Sequence, residues 1–529
     1  MNMNRRQALI MSASAMLMAA TGRSAYAQTE TGDAVIRFAP HAALRVLDPV
    51  ATPAYITRNH SYLVYDTLYS LDSSFTPQPQ MIGSHEVTDD GLEWTFILRD
   101  GLAFHDGAPV TAADVVPSIT RWWQKDVVGL RLKEVTETLE AVDDKTFMFR
   151  LKEPFGAMIE AMARPSSRPL FVMPKRIADL DPSTMLEEVV GSGPYKFLAD
   201  EFRPGASWAY ARNEDYIPRD EPADGLAGGK VPRAARIEVI WFPSPDTAIS
   251  ALINNELDII ESVSPDGRSR FEGTDVKLVA RASPTASTVR FNWSQAPFDD
   301  VRMRRAVQLV VSQIDYMDIV VGDPSAYETC PAYFGCGTPL ETDAGYVEGS
   351  LDNVEEARAL VAEAGYDGTP ITIITPGDIA SFSALAPMTQ QVLEAIGIPS
   401  KIETMEWSAF LERRTRTTLP SEGGWNLAHA VFDLIDLISP LGNPNFDARG
   451  LDGYTGFVDD PETEALKSRY QAASTDDERF AIVEEMQERA YDQVFYIPLG
   501  TYAQYTALRP ELSDFENAPI HVVYGLDKA

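Results

Sequence analysis

Residues 94–116 read Trp94-Thr-Phe-Ile-Leu-Arg-Asp-Gly-Leu-Ala-Phe-His-Asp-Gly-Ala-Pro-Val-Thr-Ala-Ala-Asp-Val-Val116, with Ser118 and Arg121 following. Trp94, Phe96 and Leu98 alternate with residues of the opposite face between two glycine-containing turns, the pattern of a half-buried strand. After Gly107 and Pro109, Thr111 with Asp114 three positions later makes a capping-box pattern that opens a helix. Pro117 opposes that helix because proline has no amide donor.

Upstream, residues 35–38 form an expected strand, a loop passes through Leu47-Asp48-Pro49, and a helix is expected from Thr57 to Leu68, with Tyr62, Tyr65 and Tyr69 at helical spacing. Downstream, Asp143-Asp144 turns the chain into another alternating strand carrying Phe147, Phe149 and Leu151 on one side. Gly193-Pro194-Tyr195 starts a further strand, and Trp208, Tyr210 and Arg212 continue the period of two. The first half is therefore rich in antiparallel strands. A different style follows: strand 237–241, a helix opened by Asp246, a turn at Asn254-Asn255-Glu256 and strand 257–260, the order of a parallel crossover. Such units place loops at the carboxyl ends of strands, where ligands usually sit.

The second half repeats that style. Strand 288–292 leads to a helix capped by Asp299 or Asp300, with Val307, Val310, Val311 and Ile314 along one face. Asn353 with Glu356 caps a helix carrying Ala357, Leu360, Val361 and Ala364. Strand 371–375, a helix through Leu385, Val392 and Ile396, and strand 401–404 complete a crossover. Ile482, Met486 and Ala490 mark a last helix before a continuous apolar strand at 494–499.

The 529 residues include 45 Lys and Arg against 78 Asp and Glu, a formal net charge of −33. An acidic surface of that size repels phosphate backbones and anionic lipid, which argues against nucleic acid as a partner. The acid is spread along the chain and reads as a solvated surface. At about 150 residues per domain, the length points to about three domains or two large lobes. A hydrophobic content of 45% fits a globular chain.

Residues 1–27 have the three parts of an export signal: Arg5 and Arg6, an apolar stretch from Ala8 to Ala20, and the cleavage pattern Ala25-Tyr26-Ala27. The apolar stretch is shorter than the roughly 20 residues that span a bilayer, so no stable membrane anchor is expected. Asn4-Arg5-Arg6-Gln7-Ala8-Leu9-Ile10 is similar to a twin-arginine signal, the general secretory route being the alternative, and no cysteine follows to carry a lipid. A periplasmic protein is expected, and loss of the signal would take the net charge to −36. In that oxidising compartment Cys330 and Cys336, the only cysteines, are expected to form a disulfide.

Taken in order, the 94–116 stretch, Gly193-Pro194-Tyr195, Asn213-Glu-Asp-Tyr216, Asn255-Glu256-Leu257-Asp258, Pro297-Phe-Asp-Asp-Val-Arg302, Glu363-Ala-Gly-Tyr366 and Ile497-Pro498-Leu499 resemble extracellular solute-binding proteins of the dipeptide, oligopeptide and nickel type, which serve ABC importers. The resemblance implies an α/β, two-lobed periplasmic binding protein fold of type II with mixed sheets. Its first lobe would span 28–285 with an inserted subdomain at about 66–190, its second lobe 286–503, and residues 504–529 would return to the first. Hinge strands are expected near Ser283 to Phe291 and Leu499 to Tyr505.

The resemblance also implies a ligand anchored by an acid for a peptide amine, basic groups for its carboxylate, and apolar walls between. Asp433 is the nearest candidate for the amine anchor, with Asp436 behind it; Trp407, Trp425 and Tyr55 are candidate walls. Arg413 is a candidate for the carboxylate, and Asn292 sits beside an expected hinge. The region around Asp433 departs from the Trp-Gly-Ala-Asp-Tyr pattern of peptide-binding members. A peptide-like ligand leads, followed by an opine, an oligosaccharide or nickel, with ABC permease subunits as partners and a monomer as the expected state. No cofactor, metal site or catalytic residue is expected. Gly-x-Ser-x-Gly and His-Glu-x-x-His are absent, which leaves a secreted carboxylate-dependent hydrolase as the alternative of a different class.

Overall fold

The computed structural model describes residues 33–379, 382 and 384–528; the export signal read at residues 1–27 lies outside the described residues. Two large sheets form two lobes. The first has seven strands in the order Tyr195–Phe197, Ser207–Arg212, Arg236–Ile240, Val35–Ala39, Ile259–Val263, Tyr505–Leu508 and Lys277–Ala280. Val35–Ala39 runs parallel to both of its neighbours. The helix Pro245–Ile253 makes the crossover, burying Ala248, Ile249, Ala251 and Leu252, and Asn255 turns the chain at a positive φ of 65°. The second sheet has six strands, in the order Tyr327–Glu328, Tyr496–Tyr502, Thr285–Phe291, Leu427–Asp433, Ile371–Pro376 and Ser400–Met405.

The chain passes from the first sheet to the second over residues 281–284 and returns over 503–504. The two passages touch, since the Arg281 amide donates to the Gln504 carbonyl at 2.8 Å.

Strand Glu93–Leu98 belongs to a separate four-stranded antiparallel sheet, between Ile82–Val87 and Thr146–Leu151, with Thr136–Ala141 at the far edge. Trp94, Phe96 and Leu98 pack with Phe147, Phe149 and Leu151, as their alternation requires. The Thr111/Asp114 capping box opens helix Ala112–Trp122. The helix retains Pro117, because burial of Val115, Ile119 and Trp122 in the same apolar cluster outweighs one missing hydrogen bond.

The other residues of that stretch fasten this layer to the first lobe. Nη1 and Nη2 of Arg121 donate to the two carboxylate oxygens of Asp48 at 3.0 and 2.6 Å, and its Nε donates to the Leu180 carbonyl at 3.0 Å. Nδ1 of His105 accepts the Gly191 amide at 3.3 Å while Nε2 meets the Gly193 carbonyl at 3.0 Å. The layer also meets the second lobe. Glu160, half-buried, accepts from Ser439 at 2.8 Å and from Tyr470 at 2.7 Å. Gly156 presses on the Ala473 carbonyl so closely that a Cβ would lie 1.9 Å from its oxygen.

Local expectations fail where a competing contact wins. The first helix runs Tyr55–Val64 and stops short of Leu68, because Asp66–Thr67 pairs antiparallel with Phe171–Val172. Asp300 caps helix Val301–Val310, but Ile314 leaves its face: Ser312 accepts from the Asp315 amide and starts a second helix, Gln313–Val320, on which Ile314 is exposed. Asn353 stands at the N-cap of helix Val354–Glu363, yet its side chain donates to the Leu309 carbonyl instead of capping. The strand expected at 494–499 begins at Tyr496, since Val494 takes a positive φ of 53° to end helix Asp476–Gln493. Cys330 and Cys336 are joined as a disulfide.

Replacing Arg121 by Met should cost about 3–5 kcal/mol, because Asp48 is left buried and unpaired; denaturant unfolding of the variant checks this. The second prediction concerns acid. Burial lowers His60 and His429 to about 3 and His521 to about 4. The unfolded chain takes up these protons near 6.5 and the folded chain does not, so stability is full above that pH and is lost as pH falls from about 6.5 toward 4. Each of the three should cost about 1.4 kcal/mol per pH unit in that window, read as a falling Tm from pH 7 to 5.

Candidate functional site

A cavity of about 270 Å³ opens where the two lobes meet, lined by His41, Tyr55, Arg58, Glu261, Ser262, Arg281, Thr285, Val431, Phe432, Asp433 and Gln504. Its walls come from both sheets and from the passages between them. His41 follows strand Val35–Ala39 and Glu261 lies in the adjacent parallel strand, so both occupy carboxyl-end positions. Tyr55 and Arg58 are on the first helix, Arg281 and Gln504 on the passages, and Asp433 ends strand Leu427–Asp433 of the second lobe.

Charge is concentrated here. The Asp433 carboxylate has Arg58 and Arg281 at 3.6 Å each, beyond hydrogen-bond range. The Arg58 side chain is 1% exposed, lies over the Tyr55 ring at 4.3 Å and donates to Ser166 at 2.7 Å. The Arg281 side chain is 8% exposed and its Nε is buried with no partner among the described residues. An unpaired buried donor costs about 1–3 kcal/mol until something accepts from it.

Behind Asp433, the Tyr55 hydroxyl donates to Asp436. Burial, reinforced by the neighbouring Asp433, pushes the Asp436 carboxyl above its usual range, and burial with the same two aspartates raises the Tyr55 hydroxyl. Glu261 behaves oppositely. Its burial alone would raise it, but the ring of His41, with His521 and Arg281, outweighs that and holds it below the carboxylate range.

Of the six residues read from sequence as ligand candidates, Asp433 and Tyr55 line the cavity and four lie elsewhere. Trp425 is 1% exposed in a cluster with Ile374, Phe410, Ala428 and Phe457, its indole N–H donating to the Arg414 carbonyl at 3.1 Å. Trp407 stacks on Phe410 and packs against Phe382. Arg413 pairs with Glu403 at 2.6 Å and donates to the Gly424 carbonyl at 3.0 Å. Asn292 donates to the Trp425 carbonyl at 3.0 Å and accepts from both the amide and hydroxyl of Ser294. Each is occupied by neighbours of its own lobe.

Sequence reading missed His41, Arg58, Glu261 and Arg281. Arg58 had a usable signal: it falls within a helix expected to be core, where a cation needs a partner. Glu261 had the same one, following Ile259 and Ile260 in an expected core strand.

A charged cavity between two lobes joined by two short passages defines a protein that closes on a small solute. The chain belongs to the family described as bacterial extracellular solute-binding proteins, family 5, whose middle-region profile matches residues 76–428. It is 34% identical, over 92% of each chain, to "Probable peptide ABC transporter periplasmic-binding protein y4tO" of Sinorhizobium fredii. It is 25% identical, over 90% of this chain and 92% of the other, to di/tripeptide-binding protein 2 of Pseudomonas aeruginosa.

Among solved structures, Helicobacter pylori DppA in complex with the peptide STSA superposes with a TM-score of 0.76 at 20% identity, over 94% of this chain and 99% of that one. The agropinic acid complex of AgaA from A. tumefaciens R10 gives 0.75 at 20% identity, with the same coverage. The fold is thus the two-lobed periplasmic binding protein fold. The chain is a solute-binding component of ABC import, not an enzyme.

Trp425→Ala should lower stability by about 3–5 kcal/mol through the cavity it leaves in the core. Ligand affinity of the folded fraction should be unchanged, as checked by denaturant unfolding alongside calorimetric titration.

Proposed function

We propose that the cavity captures a short peptide or peptide-like amino-acid derivative carrying both an amine and a carboxylate, and presents it to an ABC permease. The buried, unpartnered Nε of Arg281, set opposite Asp433, is the observation that carries this reading. An incoming carboxylate satisfies Arg281 and Arg58, while an ammonium pairs with Asp433. Asp433 lies too far from either arginine to be hydrogen-bonded to it, so the ligand completes the cluster without breaking a tight internal pair. Charge-assisted hydrogen bonds of this kind are worth about 1.5–3 kcal/mol each. A volume of about 270 Å³ favours a dipeptide-sized ligand over a long oligopeptide. The names of the two curated relatives support the same class.

In this reading residues 281–284 and 503–504 are the hinge, and the ligand closes the lobes because it touches both. The inserted layer about 66–190 travels with the first lobe through the Arg121–Asp48 clamp. Residues 1–27 direct export to the periplasm, by the twin-arginine route or the general secretory one.

Native mass spectrometry of the protein purified from its exporting host should show a retained small molecule that survives unchanged. Asp433→Asn and Arg281→Met should each weaken binding of an alanine-containing dipeptide by roughly ten- to a hundredfold, with Tm nearly unchanged, as read by calorimetric titration. Unaltered affinity in both variants, or turnover of the bound molecule, would overturn the assignment.

A further inference from the structure

Among the polar groups of the cavity that the amine and carboxylate sites leave unassigned, the His41 ring is the titratable one held by a buried acid. The register of strand Val35–Ala39 on Ile259–Val263, with Phe38 opposite Ile259 and Ala39 opposite Ile260, brings His41 beside Glu261. Glu261, 2% exposed, accepts from His41 Nδ1 at 2.7 Å, from the His41 amide at 2.8 Å and from Asn59 Nδ2 at 2.7 Å. A carboxylate accepting at Nδ1 fixes that nitrogen as the N–H and leaves Nε2 as the free one. The imidazole is 29% exposed, lines the cavity, and its Nε2 has no hydrogen-bond partner among the described residues.

The surrounding charges set what Nε2 can meet. Glu261 flanks the ring, Arg281 and His521 interact with the same carboxylate, and Arg58 and Asp433 line the same cavity. Asp433 is shared between two guanidiniums, and Glu261 is committed to Asn59 and His41. With His41 neutral, Arg58 and Arg281 balance Asp433 and Glu261. With His41 protonated, the cavity carries one positive charge in excess, and Nε2 gains a proton to donate.

We propose that His41 is a specificity-determining residue that takes a proton from solvent as ligand enters and donates Nε2–H to a second acidic group, so that the cavity selects derivatives with one more acid than amine. The inference rests on the carboxylate-and-amine reading of the same cavity. Glu261 acts as the positioning residue, holding the ring by Nδ1 so that Nε2 is the atom presented. The favoured class is an acidic dipeptide, or an amino-acid derivative with two carboxylates and one amine, over the corresponding side-chain amide.

The test titrates Ala-Glu and Ala-Gln into the full-length protein by calorimetry near pH 7.5, in buffers of different ionisation enthalpy. Ala-Glu should bind about tenfold more tightly, the worth of one charge-assisted hydrogen bond. Its binding should take up close to one proton, read from the dependence of the binding enthalpy on the buffer. His41→Gln, at a partly exposed position where folding is not at risk, should abolish the proton uptake and reduce the preference to less than about twofold. Glu261→Gln, checked for an unchanged Tm, should weaken Ala-Glu more than Ala-Gln. Equal affinities with no proton uptake would overturn the role of His41 and leave the proposed ligand class standing. Failure of both dipeptides to bind would overturn the two together.

Discussion

Everything in this molecule that concerns a ligand depends on how the chain changes sheets. The first seven-stranded sheet and the second six-stranded one are joined by residues 281–284 and 503–504, and the Arg281 amide bonds the Gln504 carbonyl so that the two passages lie side by side. Their side chains also line the cavity. In the proposed hinge reading, a solute bound there touches the same residues about which the lobes turn. Differential affinity for two arrangements therefore becomes a change of arrangement, with no long route for the coupling to follow.

The charged interior contrasts with the surface around it. A chain with a formal net charge of −33 gathers Arg58 and Arg281 at one internal seam and surrounds them with acids of three kinds. Asp433 stands free of hydrogen bonds to either arginine, Asp436 is tied to the Tyr55 hydroxyl, and Glu261 is saturated by Asn59 and His41. The same kind of side chain is left available, held by a hydroxyl or fully engaged by its neighbours. Geometry, more than composition, decides which acid can meet a ligand.

That distinction also explains what could be read from sequence. Period-two alternation at Trp94, Phe96 and Leu98, the Thr111 and Asp114 cap and the crossover around helix Pro245–Ile253 are local signals, and the structure contains each of them. Boundaries shifted where a distant partner intervened, as when Phe171–Val172 drew Asp66–Thr67 out of the first helix. The cavity was harder because its residues are separated by up to several hundred positions and meet only through strand register. Asp433 could be reached through resemblance to a family pattern, and Tyr55 only through its place near a loop. Trp425 and Trp407 could not be told from pocket walls, since an aromatic near a loop has the same sequence signature whether it faces a cavity or packs on Phe410. Arg281 carried no signal, because its isolation arises only in three dimensions.

The contact between the inserted layer and the second lobe bears on how the empty protein rests. Gly156 seated on the Ala473 carbonyl, and Glu160 shared by Ser439 and Tyr470, lie outside the residues that line the cavity. In the proposed hinge reading, their free energy is gained when the lobes meet, whether or not a solute is present. They thus set a resting bias from which any ligand must work: a stronger contact there would raise affinity for every solute alike, while leaving the ranking among solutes to the cavity. On that reading sensitivity and selectivity fall to different parts of one chain, and each can drift without disturbing the other.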